Sequence, residues 1–284
     1  MKTRVISALV AAAILLIILI LPPITVFIAA GVMAAIGVWE AACATGINRH
    51  KGQLILSMIA AALAPFLPLL GTIDPMYTMA YILLYLVGMG ILQVIYHADI
   101  RVEATGYTVM MTVLISVVFA CLTRLRTAES GLLDAVVSWQ NGRYLLVISL
   151  FIPWLSDIGA YFVGVLFGKH KLCPNISPKK TVEGLIGGLL FSPAIITLTL
   201  YGYQMFAQVT LTPYAYVIVA VTAFVGSVLS VFGDLFASVI KRQHGIKDFG
   251  NIMPGHGGVL DRFDSFLFAV PFVCMMLNTF PLFM

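Results

Sequence analysis

Charged residues are scarce in this chain of 284 amino acids: Asp, Glu, Lys and Arg make up 10% of it. Soluble domains usually contain about 25% charged residues. Hydrophobic residues make up 61% of the chain. This composition excludes an ordinary soluble domain and predicts a polytopic integral membrane protein of the all-α class. The net charge of +4 does not indicate nucleic-acid binding, because the basic residues fall in the loops between apolar segments.

Cysteine is also rare, and its four copies are scattered without a CxxC motif or a Cys/His cluster. This spacing predicts neither a disulfide framework nor a zinc site. The chain also lacks internal repeats and low-complexity tracts. The segment GVLFGKH at 164–170 has one residue too few between its glycines for a Walker A loop, and no Ser or Thr follows its lysine, so we exclude a P-loop.

Long apolar segments are abundant, and each of nine is long enough to cross about 30 Å of hydrocarbon. The segment near the N-terminus is predicted to be a membrane span rather than a signal peptide, because no small-x-small cleavage site closes it. The predicted spans are residues 5–21, 24–45, 54–70, 76–96, 107–122, 144–168, 184–206, 213–234 and 263–283.

The lysines and arginines are distributed unevenly between the two sides of these predicted spans. If the N-terminus is cytoplasmic, the other side holds only Arg124, Arg126 and Arg143 of the 16 basic residues. The cytoplasmic side holds Lys2, Arg4, Arg49, Lys51, Arg101, Lys169, Lys171, Lys179, Lys180, Lys241, Arg242, Lys247 and Arg262. The positive-inside rule therefore predicts a cytoplasmic N-terminus, and it places loops 169–183 and 241–262 on the same, cytoplasmic face.

Polar and charged residues that could bind or react with a substrate are concentrated in the C-terminal half. This distribution suggests a division of the chain into three regions. Residues 1–122 form N-terminal transmembrane helices, in which Glu40 and Asp74 are expected to be solvated or to cap helices. Residues 123–143 form an extracytoplasmic connector whose apolar and polar residues fit an interfacial amphipathic helix. Residues 144–284 form a catalytic transmembrane region with cytoplasmic loops.

A stripe of polar residues recurs in one apolar helix of this region. Its steps of three and four residues place all members on one helix face. The members are Ser227, Ser230, Asp234, Ser238 and Lys241. A carboxylate facing lipid would cost about 2.5–3.5 kcal/mol or more, so we expect the stripe to face the protein interior or a watery cavity. A structural seam between helices is the alternative interpretation.

A second polar region begins inside the sixth predicted span with Asp157 and continues into the lysine-rich loop KHKLCPNISPKKTVEG at 169–184. Lysines beside the N-terminus of a helix favour binding of an anion, commonly a phosphate. The pair Lys179 and Lys180 would alternatively anchor the chain near lipid headgroups. The small-xxx-small pairs Gly164/Gly168 and Gly184/Gly188 predict close helix packing.

Aspartates and lysines on one membrane face suggest a magnesium-dependent phosphate site. Magnesium takes a few carboxylates together with phosphate oxygens and water. The candidate aspartates are Asp157, Asp234, Asp261 and Asp264. Simpler interpretations remain open at this stage: Asp264 could cap a helix or pair with Arg262, and His256 could be an ordinary loop residue.

Two motifs resemble the paired signature of the phosphatidate cytidylyltransferases, also called CDP-diacylglycerol synthases. They are SPKKTVEG at 177–184 and SVIKRQHGIKDFGNIMPGHGGVLDRFD at 238–264. The segment SDIGAYFVG at 156–164 also resembles the corresponding stretch of that family. The resemblance extends from about residue 150 to the end of the chain.

This resemblance implies transfer of CMP from CTP to phosphatidate, giving CDP-diacylglycerol and pyrophosphate, with Mg²⁺ and room for a second cation. It implies catalytic roles for Asp234, Asp261, Lys179 and Lys241, with Asp234 and Asp261 as metal ligands. It further implies substrate or phosphate binding by Ser177, Lys180, Ser238, Arg242, His256, Arg262, Asp157 and Asp264.

The expected partners are phosphatidate, CTP and the lipid bilayer, without nucleic acid, and a homodimer is compatible with the glycine-containing helices. The expected location is a bacterial cytoplasmic (inner) membrane, with the active site facing the cytoplasm. The nearest alternative is a CTP-dependent polyprenol or phytol kinase, which would direct a lipid hydroxyl at the γ-phosphorus. A transporter is a more distant alternative, since it predicts inverted repeats that this sequence lacks. A purely structural membrane scaffold would not need the loop rich in Lys, Gly and Asp.

Overall fold

The computed structural model describes residues 2–46, 50–71, 75–127, 139–253, 255 and 257–284, and these residues are mainly helical. The described helices are α1 (Lys2–Ile20), α2 (Pro23–Thr45), α3 (Lys51–Leu63), a 3₁₀ turn (Ala64–Phe66), α4 (Leu67–Gly71), α5 (Pro75–Ile95), α6 (Val102–Arg126), α7 (Trp139–Phe167), α8 (Val182–Ala207), α9 (Ala215–Gln243), α10 (Leu260–Phe263) and α11 (Phe266–Thr279). A hairpin of β1 (Lys171–Cys173) and β2 (Ser177–Thr181) precedes α8. The predicted helical class is confirmed.

Seven of the described segments are long and apolar enough to cross a membrane, so the chain is a polytopic integral membrane protein. They are Pro23–Ala44, Lys51–Leu69, Pro75–Ile95, Val102–Arg126, Asn141–Phe167, Val182–Ala207 and Ala215–Gln243. The first and last predicted spans correspond to shorter apolar helices, Leu9–Ile20 and Phe266–Thr279. The total of nine spans therefore stays a prediction.

The described chain divides into two compact units, and the first comprises Met1–Arg126 and Gln243–Phe263. Within it, α2 packs against α3 and α6. The approach of α2 to α3 is very close at Gly31, where an added Cβ would lie 2.6 Å from the Ala62 carbonyl oxygen. The Thr123 hydroxyl donates a hydrogen bond to the Pro65 carbonyl oxygen at 2.7 Å, which ties α6 to the 3₁₀ turn.

The second unit comprises Thr127–Arg242 and Asp264–Met284, and its main helix pair is α7 with α8. The two backbones approach closely at glycines. A Cβ added to Gly188 would lie 2.5 Å from the Ser156 carbonyl oxygen, and one added to Gly184 would lie 2.7 Å from that of Ala160. Small residues allow such contacts between membrane helices. The packing role predicted for these glycines is confirmed.

The predicted three-part division, 1–122, 123–143 and 144–284, stays a prediction. Residues 128–138 of the proposed amphipathic connector lie outside the described residues, as does Asp74. The loop segment Gln243–Phe263 is grouped with the N-terminal helices by its contacts.

The hairpin between α7 and α8 contains the SPKKT part of the first motif. Its strands are antiparallel, with Lys171 opposite Thr181 and Cys173 opposite Ser177. The last residue of β2, Thr181, is the N-cap of α8, because its hydroxyl oxygen accepts a hydrogen bond from the Gly184 N–H at 3.1 Å. The hairpin thus leads directly into the start of a membrane-spanning helix.

Candidate active site

The two lysines of the hairpin have different surroundings. Neighbouring residues of a strand point to opposite faces. Lys179 is exposed, whereas Lys180 is partly buried and its Nζ lies 2.6 Å from Asp234 Oδ2 on α9. Ser177, at the start of β2, is also partly buried. The structure therefore brings Lys180 to a predicted aspartate and leaves Lys179 at the surface.

The polar stripe on α9 is mainly buried, as expected from its helical spacing. Ser227, Ser230, Ser238 and Lys241 are buried, and Asp234 is partly buried. The Ser238 hydroxyl donates a hydrogen bond to Asp234 Oδ1 at 3.3 Å. Both oxygens of Asp234 therefore have a polar neighbour, one a hydroxyl and the other a lysine.

A second lysine and aspartate pair lies near the end of α9. Lys241 Nζ lies 3.4 Å from Asp264 Oδ2, and both side chains are buried. The Ser265 N–H donates to Asp264 Oδ1 at 2.9 Å. A Cβ added to Gly233 would lie 2.6 Å from the Asp264 carbonyl oxygen, so the absence of a side chain there lets the Asp264 backbone approach α9.

Asp157, Asp234 and Asp264 form what we call the carboxylate cluster. Asp264 lies between α10 and α11, where burial and the carboxylates of Asp234 and Asp157 disfavour its charged form, whereas the Lys241 ammonium favours it. Negative charge is thus disfavoured at Asp264 unless a cation is near, and a further cation would stabilise the cluster.

No group of three or more His, Cys, Asp or Glu side chains among the described residues could hold a metal ion by itself. Magnesium does not require such a group, because it commonly binds one or two carboxylates and completes its shell with phosphate oxygens and water. The carboxylate cluster offers oxygen atoms, which are the ligands that magnesium prefers.

Residues 243–263 of the second motif belong to the first unit, and we call them the signature loop. Asp261 is buried there, and its Oδ2 accepts hydrogen bonds from the Phe249 N–H at 2.8 Å and the Gly258 N–H at 3.0 Å. One carboxylate oxygen thereby connects the two ends of a ten-residue stretch of loop. Asp261 has a structural role in addition to the metal-binding role implied by the resemblance.

Glu40 of α2 also contacts the signature loop, and sequence reasoning gave it little weight. Its side chain is fully buried, and its Oε1 and Oε2 accept hydrogen bonds from the Val259 N–H at 3.0 Å and the Leu260 N–H at 2.8 Å. The solvated role expected for Glu40 is wrong, because its carboxylate is buried and accepts hydrogen bonds from a distant part of the chain. The one signal in the sequence was a carboxylate within an apolar helix.

Three further predicted residues are Arg242, Arg262 and His256. Arg242 and Arg262 are exposed, and His256 lies outside the described residues. Asp234 and Asp261 belong to different compact units, so their predicted pairing as metal ligands stays a prediction.

The fold and this set of residues define a polytopic helical membrane protein with two pairs of aspartate and lysine, one of which involves a lysine of the hairpin before α8. Such a set suits chemistry on phosphate groups. The chain belongs to the cytidylyltransferase family, whose sequence profile matches residues 2–280.

Curated relatives are similar to this chain over about half of its length. A phosphatidate cytidylyltransferase of Bacillus subtilis (strain 168) is 46% identical over 141 residues, which cover 50% of this chain and 50% of that protein. Proteins of the same name from Staphylococcus haemolyticus (strain JCSC1435) and Staphylococcus epidermidis (strain ATCC 35984) are 39% and 41% identical over 160 residues, covering 55% of this chain and 58% of each relative. The matched segments thus span between half and three fifths of these relatives.

Proposed function

We propose that this protein is a phosphatidate cytidylyltransferase, which transfers CMP from CTP to phosphatidate and releases pyrophosphate. The observation that carries the proposal is that two residues of α9 form ion pairs: Asp234 pairs with Lys180, and Lys241 pairs with Asp264. Family membership and the names of the similar bacterial proteins support it.

The proposed reaction is an in-line displacement at the α-phosphorus of CTP. A phosphate oxygen of phosphatidate forms the new P–O bond, the bond between the α-phosphorus and its bridging oxygen breaks, and pyrophosphate carries away the electron pair. Phosphorus chemistry of this kind rests mainly on positioning and charge stabilisation rather than on a protein nucleophile. The side chains required are therefore cations and hydrogen-bond donors around the phosphates.

The lysines and serines supply those groups. Lys180 and Lys241 are placed to neutralise phosphate oxygens near the carboxylate cluster, and Ser238 and Ser177 add hydroxyl donors. Lys179 and Arg242 are exposed, so they are suited to meet the phosphates of CTP as it arrives from water. His256 and Arg262 of the signature loop are proposed to bind phosphate on the strength of the motif alone.

Magnesium is proposed as the cofactor, with Asp234 and Asp264 as ligands and Asp157 adding negative charge. When bound, the ion would offset the repulsion between two anionic reactants and the charge that develops on pyrophosphate. Asp261 is proposed as a further ligand from its place in the sequence motif.

We propose a bacterial cytoplasmic membrane as the location, with nine spans, a cytoplasmic N-terminus and an active site that faces the cytoplasm. The uneven distribution of lysine and arginine supports this orientation. Phosphatidate would then reach the site from the cytoplasmic leaflet, while CTP would arrive from the cytoplasm.

The test uses the purified chain in detergent with phosphatidate, magnesium and CTP labelled at the α-phosphate. Transfer of label into a lipid, with release of pyrophosphate, is expected. Asp234→Asn should abolish this transfer, whereas the exposed Asp99→Asn should not. A parallel reaction contains γ-labelled CTP and a lipid alcohol. If label moves only in that reaction, the protein is a lipid kinase and the proposal fails.

A further inference from the structure

Glu40 is a buried carboxylate of α2, and the hydrogen bonds that the structure describes for it come from the signature loop. Its two oxygens accept the N–H groups of Val259 and Leu260, which are 219 and 220 residues away in the sequence. A buried carboxylate is costly unless hydrogen bonds satisfy it, and those from backbone N–H groups are strong because the acceptor is charged. The fully buried Glu40 meets this condition through consecutive loop residues.

Two glycines of the loop lie directly against this carboxylate. A Cβ added to Gly258 would lie 2.5 Å from both Oε1 and Oε2 of Glu40, and one added to Gly250 would lie 2.6 Å from its Cδ. Real Cβ atoms essentially never approach other heavy atoms so closely. Glycine at these positions therefore lets the loop backbone wrap directly around the Glu40 carboxylate.

Asp261 and Glu40 accept hydrogen bonds from neighbouring N–H groups of the loop. The N–H of Gly258 donates to Asp261, and the next two N–H groups, of Val259 and Leu260, donate to Glu40. Three consecutive backbone donors are thus held by two carboxylates. Loss of the Glu40 contacts would free the segment whose position also determines that of Asp261.

We infer that Glu40 is a positioning residue, which fixes the signature loop so that Asp261 is held in its working orientation. This inference rests on the proposed function, because it assigns Asp261 to the reaction. Glu40 itself needs no contact with substrate, since its effect passes through the backbone of residues 258–260.

The test compares Glu40→Gln and Glu40→Ala with the exposed Glu103→Gln as a matched control. The glutamine is isosteric with glutamate, but only one of its terminal atoms accepts a hydrogen bond, so one loop N–H loses its partner. We expect faster amide hydrogen exchange in peptides covering residues 249–260 for both Glu40 variants, and unchanged exchange for Glu103→Gln.

In the labelled-CTP assay we expect kcat to fall about 10–100-fold in Glu40→Gln, as is typical when a residue that orients a functional group is lost. The KM for CTP should change much less, because the substrate contacts remain. A mere loss of folded protein is detected separately by size-exclusion chromatography, and Glu40→Ala is interpreted only if it passes that check.

Unchanged exchange over residues 249–260 in Glu40→Gln would overturn the inference, and so would faster exchange with an unaltered kcat. If the unaltered protein transfers no CMP, the proposed function fails. The exchange measurement still decides in that case whether Glu40 fixes the loop.

Discussion

Lys180 Nζ lies 2.6 Å from Asp234 Oδ2 and so joins the hairpin before α8 to the middle of α9. Both side chains are about three quarters buried, and each neutralises the other. A phosphate group and a divalent cation that bind together also bring charges of both signs. If the proposed function holds, substrate binding would replace the ion pair: Lys180 would pair with the phosphate and Asp234 with the cation, and no buried charge would be left unpaired.

Replacing Asp234 with asparagine should lower kcat by about 100-fold or more, because a neutral amide is a poor ligand for magnesium. The apparent magnesium affinity should fall as well, and a magnesium titration of initial rates measures both effects. The matched change Asp99→Asn, in an exposed residue, should leave both unaltered. Equal rates and equal magnesium dependence in the two variants would contradict the metal assignment.

Lys180→Met should raise the KM for CTP and lower kcat, since the lysine is proposed to hold a phosphate. Lys171→Met, in an exposed residue of the same hairpin, is the control. Combining Lys180→Met with Asp234→Asn should cost less folding stability than the two single changes added together, with a coupling of about 0.5–3 kcal/mol. Additive unfolding free energies in detergent would show that the ion pair contributes nothing.

Gly188→Ala should destabilise the protein by about 1–3 kcal/mol, because the new methyl group would meet the Ser156 carbonyl oxygen of α7. Gly202→Ala in the same helix is the matched control, as nothing lies within 4 Å of a Cβ at that position. It should stabilise α8 by up to about 1 kcal/mol. Thermal unfolding in detergent distinguishes the two, and similar shifts would contradict close packing of α7 and α8.

Gly258→Ala should disturb the signature loop, because its methyl group would overlap the Glu40 carboxylate. Faster hydrogen exchange over residues 249–260 is expected, together with a lower kcat. Gly106→Ala, whose added Cβ meets nothing within 4 Å, should change neither measurement. Normal hydrogen exchange and normal kcat in Gly258→Ala would show that the loop accommodates the methyl group without losing its contacts with Glu40.

Chelation by EDTA should abolish CMP transfer, and added magnesium should restore it, while calcium should restore it poorly. Calcium prefers more ligands and longer bonds than magnesium, so it fits a site of few carboxylates less well. The assay follows label transfer from α-labelled CTP at several ion concentrations. Full activity in EDTA would exclude the proposed cofactor.

The sequence predicted the features that depend on local pattern. Composition indicated the helical membrane class, and the helical period of Ser227, Ser230, Ser238 and Lys241 correctly indicated an inward face on α9. The hairpin was not foreseen, because strands of three and five residues rich in Lys and Pro carry no alternating pattern. The role of Glu40 could not be read either, since periodicity does not report a partner 220 residues away.

That long separation between Glu40 and Leu260 also imposes an order on biogenesis. At a synthesis rate of about 5–20 residues per second, Leu260 leaves the ribosome roughly 10–40 s after Glu40. Throughout this interval α2 carries a carboxylate whose final donors do not yet exist. Until then, the newly synthesised helix must keep that carboxylate hydrated or temporarily paired. The signature loop therefore folds late, and its folding completes the burial of Glu40 among the N-terminal helices.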